Sequence, residues 1–72
     1  MLNKPPFHRV EIDKTGRVIG WGKDDKFQTI EEANTAAKVW FDERKAEGLM
    51  RHRTIYVYNS EGKWVSMFID EE

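Results

Sequence analysis

Residues 29–48 read TIEEANTAAKVWFDERKAEG, and this stretch decides the fold because it alone carries helical periodicity. Ile30, Ala33, Ala37, Trp40 and Phe41 recur at three- and four-residue spacing, which places them on one stripe of an α-helix. Thr29 suits the N-cap, and Glu32 three residues on completes a capping box. Glu31 and Glu32 match the positive end of the helix, Arg44 and Lys45 the negative end. Gly48 can take the left-handed conformation that stops a helix, with Leu49 folding back after it. Asp42, Glu43, Arg44, Lys45 and Glu47 make a mixed-charge outer surface, with Arg44 close enough to the stripe to lay its stem along the core margin. Val39 and Ala46 fall off the stripe and are expected at the surface. A helix of about residues 30–47 striped in this way needs a partner to lie on.

Outward from the helix, the chain offers two hairpins. Residues 7–13, FHRVEID, alternate as a strand, and residues 17–22, RVIGWG, follow a turn at Asp13-Lys14-Thr15-Gly16. Residues 53–58 and 63–69 repeat the arrangement around Asn59-Ser60-Glu61-Gly62. Asp or Asn first and Gly fourth indicate a type I turn closed by a left-handed glycine bulge. That turn sets the pairing register, and the register sets the faces. On this register Val10, Ile12, Val18, Ile55, Val57, Val65, Met67 and Ile69 form the side beneath the helix, with His8 there too and Gly20 leaving room for Trp40. The predicted architecture is α+β: one β-β-α-β-β domain over residues 7–70, with a four-stranded, mainly antiparallel sheet and the helix on one face. The expected strand order is 2-1-3-4, with 1-2-4-3 and 2-1-4-3 as alternatives. Residues 1–6 form an extended lead-in and residues 71–72 an acidic tail.

The opposite side of the sheet then collects Phe7, Ile19, Trp21, Tyr56, Tyr58, Trp64 and Phe68. Antiparallel sheets usually turn a polar face to water. This set would expose more apolar surface than the few hundred Å² common on monomers. Something is expected to cover it. Self-association or a protein partner is the first expectation, in the manner of an adaptor or inhibitor. Single-stranded nucleic acid stacked on the aromatics is the alternative, with Arg9, Arg17, Arg51, Arg53 and Lys63 as the cationic rim. A one-residue register shift in either hairpin, or a terminal segment folded over the face, would change the set.

Composition narrows the classes. At 72 residues the chain is long enough for one small domain, which buries only roughly 60% of its unfolded surface. Charged residues make up 35% but sum to −1, so no general field attracts nucleic acid or membrane. Cysteine is absent, no apolar run is long enough to cross a membrane, and no hydrophobic leader follows Met1, so a cytoplasmic setting is expected. Two histidines on different strands, without clustered carboxylates, argue against a metal. Lys23-Asp24-Asp25-Lys26 lacks calcium-loop spacing and is expected to be a solvated loop. No serine has a base beside it, and the scattered glycines match no phosphate loop, so neither enzyme activity nor a cofactor is expected. Phe27-Gln-Thr-Ile-Glu-Glu-Ala33 resembles the strand-to-helix junction of AP2-type DNA-binding domains. Those domains place three strands before the helix and end with it. Here two strands precede and two follow, so the resemblance implies no DNA contacts.

Overall fold

The computed structural model describes residues 3–70. Strands β1 (His8–Asp13) and β2 (Val18–Trp21) precede helix α1 (Ile30–Ala46), and β3 (Arg53–Tyr58) and β4 (Trp64–Ile69) follow it. They form one sheet of order β2-β1-β3-β4 in which every neighbouring pair is antiparallel. The α+β class, the element order and the strand order 2-1-3-4 are those expected. Residues 71–72, expected as an acidic tail, lie outside the described residues, as do the first two residues of the lead-in.

Local chemistry explains the helix ends. The Glu32 N–H donates to Thr29 Oγ1 at 3.1 Å, and the Thr29 N–H donates to Glu32 Oε1 at 3.2 Å, so both halves of the capping box are present. At the other end the Leu49 N–H donates to the Arg44 carbonyl at 2.7 Å and the Gly48 N–H to that of Lys45 at 3.0 Å. This pair of bonds is a Schellman motif around Gly48 at φ 74°. Leu49 stays largely exposed; its neighbour Met50 enters the core instead.

The two turns form as expected and are chemically alike. Gly16 and Gly62 hold φ 89° and 78°, a conformation that favours glycine, and each donates its N–H to the carbonyl of the first turn residue. Asp13 Oδ1 accepts from the Thr15 N–H, the Thr15 hydroxyl and the Arg17 N–H. Asn59 Oδ1 does the same for the N–H groups of Glu61 and Lys63. The hydrogen bond from the Thr15 side chain, with those from the backbone, holds the Asp13 carboxyl below the usual carboxylate range. A carboxyl whose folded pKa is depressed stabilises the fold above its unfolded pKa, and that stability is lost as pH falls through the folded value. Asn59 shows that an amide supports the same turn. Asp13→Asn is therefore expected to be modestly less stable than wild type at pH 7, with the gap closing below about pH 4. Urea midpoints of both proteins at several pH values check this; a gap independent of pH would sink it.

The faces differ from the expected ones, and two bulges are part of the reason. Along β1 and β2, Ile12 opposes Val18 but Glu11 opposes Gly20, so Ile19 is the extra residue. Along β3 and β4, Tyr58 opposes Trp64 but Val57 opposes Ser66, so Val65 is the extra residue. Each bulge reverses the parity of the residues beyond it. Met67 and Ile69 consequently leave the helix side and Phe68 enters it. β1 also turns the other way round, with His8, Val10 and Ile12 on the side away from the helix. Ile55 and Val57 keep their expected place. The core consists of Phe7, Ala33, Ala37, Met50, Ile55 and Val57, edged by Phe27, Ile30, Trp40, Phe41, Val65 and Phe68.

β1 therefore presents Arg9 and Glu11 to the helix, and both are neutralised there. Glu11, only 3% exposed, accepts from Arg44 Nε and Arg53 Nη1 at 3.3 Å each. Gly20 leaves room for Glu11 rather than for Trp40: a Cβ at position 20 would lie 3.0 Å from Glu11 Oε1. The guanidinium of Arg9 lies 4.0 Å from the Trp40 ring centre and forks onto Asp25 at 2.7 and 3.0 Å. Its third nitrogen donates to the Ala36 carbonyl at 3.1 Å. Asp25 is thus a structural anchor, not part of a solvated loop. The loop that carries it is drawn in by the bridge between Phe7 and Phe27.

Candidate functional site

The helix covers one side of the sheet, and the cross-strand register defines what occupies the other. Three rows cross the strands there. Val18, Ile12, Thr54 and Ile69 form the first. Trp21, Val10, Tyr56 and Met67 form the second, and His8, Tyr58 and Trp64 the third. No Lys, Arg, Asp or Glu stands at any of these eleven positions. Trp21 is 63% exposed, Val18 and Trp64 each 55%, and Met67 and Ile69 more than two-fifths. Val10 at the centre is buried by its neighbours.

Rings organise one end of this face. Tyr56 lies 5.9 Å from both Tyr58 and Trp64, and His8 meets Tyr58 edge-on at 5.7 Å between ring centres. Such tilted and edge-on arrangements suit the quadrupoles of the rings and stiffen a surface made of large side chains. A rigid aromatic surface loses little side-chain entropy when another molecule covers it.

Of the seven residues expected to share the uncovered face, Trp21, Tyr56, Tyr58 and Trp64 do so. Phe7 does not; it is fully buried in the core. Phe68 does not; it packs on the helix side, 6.3 Å from the Phe41 ring. Ile19 sits in the β2 bulge and is exposed. His8, Val10, Ile12, Val18, Met67 and Ile69 belong to the face and were expected beneath the helix. Arg44 held the usable clue. An arginine on the margin of the helix stripe needs a carboxylate opposite, and on β1 only Glu11 can supply one without disturbing the turn.

The expected cationic rim is dispersed. Arg9 and Arg53 turn to the helix side and are held by Asp25 and Glu11. Arg17 and Lys63 stand at the two hairpin turns, and Arg51 in the connection before β3, all exposed. Among the described residues, no group of three His, Cys, Asp or Glu side chains is placed to hold a metal ion. Nor, among the described residues, is any helix long and apolar enough to cross a membrane. Comparison with protein-family models, with curated proteins and with solved structures finds no match for this chain.

Proposed function

We propose that this chain is a non-enzymatic interaction module that pairs with a second copy of itself through the uncovered sheet face. The observation that carries the reading is the absence of any formally charged residue from eleven contiguous positions of that face. In a chain that is 35% charged, an unpartnered face would be expected to carry some of that charge. An uncharged face sets no like charges against each other when two copies meet, and a two-fold axis through its centre would place Tyr56 and Val10 of each copy together. Sheets packed face to face lie about 10 Å apart, a gap that aromatic and aliphatic side chains fill.

Area sets the expected strength. The exposed tryptophans, tyrosines and aliphatics of the face offer on the order of 600 Å². A standard interface takes about 800 Å² from each partner, and weaker ones take less. The expected dimer is therefore reversible, in the micromolar range, and not obligate. Sedimentation equilibrium of the wild type is expected to show dissociation with dilution. Trp64→Glu is expected to raise the dimer Kd at least about a hundredfold, a cost of roughly 2–3 kcal/mol. Trp64 is more than half exposed, so at protein concentrations below the dimer Kd the variant's unfolding midpoint should hardly move. A wild type that stays monomeric near 1 mM would remove self-association. Single-stranded nucleic acid fits the face less well, because phosphate neutralisation draws on Lys and Arg, and this face carries neither.

A further inference from the structure

A second surface, adjoining the uncovered face at Thr54 and Ile69, has the opposite chemistry. Where the β1–β2 turn, the end of α1, the start of β3 and the end of β4 meet, the chain leaves an open cleft of about 630 Å³. Lys14, Lys45, Arg51, His52 and Arg53 line it, and among the described residues Asp70 is the one carboxylate that does. The protein as a whole is slightly acidic, so this concentration of cations is local. Three of these side chains, Lys14, Arg51 and His52, form no ion pair or hydrogen bond among the described residues. The Lys45 ammonium lies 5.7 Å from the Phe41 ring centre, and Arg53 shares one nitrogen with Glu11.

Backbone geometry adds donors. The Arg53 N–H donates to the Met50 carbonyl at 3.0 Å, closing a tight turn in which Arg51 and His52 are the central pair. The N–H groups of Arg51 and His52 donate to no other backbone group among the described residues. His52 holds φ 77°, where a side chain other than glycine is strained. Three carbonyls of the last turn of α1, those of Glu43, Arg44 and Lys45, accept from the Glu47, Leu49 and Gly48 N–H groups, which reduces the negative potential at that helix end. The nearby carboxylate of Asp13 is likewise held by Thr15 and Arg17.

From this arrangement we propose that the cleft is a binding site for a small phosphate monoester. A phosphoryl group offers the several acceptor oxygens and the double charge that Lys14, Arg51, His52 and the turn amides can satisfy together. The cleft is open on one side and leaves room beyond a phosphoryl group for an organic part. Met50, Thr54 and Ile69 supply apolar and hydroxyl walls for the organic part. The cleft shares Thr54 and Ile69 with the margin of the uncovered sheet face, but its cations stand outside the eleven positions of that face, so either assignment can fail alone.

Titration of the full ¹⁵N-labelled chain with phenyl phosphate and, separately, with inorganic phosphate tests this. Saturable amide shifts are expected at Lys14, Arg51, His52 and Arg53, with the ester binding more tightly than phosphate. The double substitution Lys14→Ala, Arg51→Ala is expected to weaken the ester at least about tenfold. His52→Gly separates binding from folding: it should raise the unfolding midpoint by relieving the left-handed backbone while weakening the ester. No shift up to about 20 mM ester, far above a millimolar Kd, would overturn the site. Shifts of equal size at Lys23, Lys26 and Lys63 would overturn it as well, since they mark general attraction of anions to lysine. Equal affinity for phosphate and ester would overturn the assignment of the organic part to the apolar walls.

Discussion

Phe7→Ala is expected to remove about 3–5 kcal/mol of stability, the usual cost of emptying a buried phenylalanine site. Globular domains carry about 0.05–0.15 kcal/mol per residue, which for 72 residues is about 4–11 kcal/mol. The loss is therefore about a quarter of the total at least, and the whole of it if the domain sits at the low end. Two features argue for the upper part of the range. Phe7 is fully buried among Ala33, Ala37, Met50, Ile55 and Val57, in a core too small to close over a cavity of that volume. Its backbone also pairs with Phe27 in both directions, at 2.7 and 3.1 Å, so loosening Phe7 loosens the loop that delivers Asp25 to Arg9. Urea unfolding at low protein concentration checks the prediction. The same measurement tests where Phe7 sits. A residue on an interaction face would change association and leave the monomer's midpoint alone; a midpoint unchanged by Phe7→Ala would contradict the core assignment.

The helix and the turns were legible because their signals are local. Thr29 with Glu32, Arg44 through Leu49, and the Asp13–Gly16 and Asn59–Gly62 turns each act within a few residues, and each forms as its chemistry requires. Strand order came from chain direction once the helix was placed between two hairpins. The faces were less legible because parity survives only until the next bulge, and nothing in VIGW or WVSMFI marks Ile19 or Val65 as the residue to be skipped. The orientation of β1 failed for a different reason. Hydrophobicity ranks His8, Val10 and Ile12 as the better buried set, and it takes no account of partners that arrive from distant sequence. Asp25, Arg44 and Arg53 come from a loop, a helix and another strand, and together they make the charged set of β1 acceptable inside. Trp21, Tyr56, Tyr58 and Trp64 reached the uncovered face on either account, which is why the aromatic part of the site was foreseen and its aliphatic part was not.

Glu11→Ala is expected to cost about 3 kcal/mol, a figure set by the charges it leaves behind. Removing one member of a buried ion pair typically costs about 3–5 kcal/mol, because the remaining charge stays desolvated. Here the remaining charges are Arg44 and Arg53, whose side chains are 27% and 33% exposed. Both can turn partly to water, which places the cost at the lower end. The double substitution Glu11→Met, Arg44→Met removes the central carboxylate and one of its cations together. It keeps unbranched side chains where Gly20 and Trp40 leave space, and is expected to lie within about 1 kcal/mol of wild type. Urea midpoints of the single and double variants decide the matter; equal losses in both would mean the charges act independently of each other. The expected contrast implies that the cage around Glu11 contributes orientation more than net stability. By holding the charged set of β1 against α1, it leaves His8, Val10 and Ile12 outside, and so makes the sheet's other face free of charge.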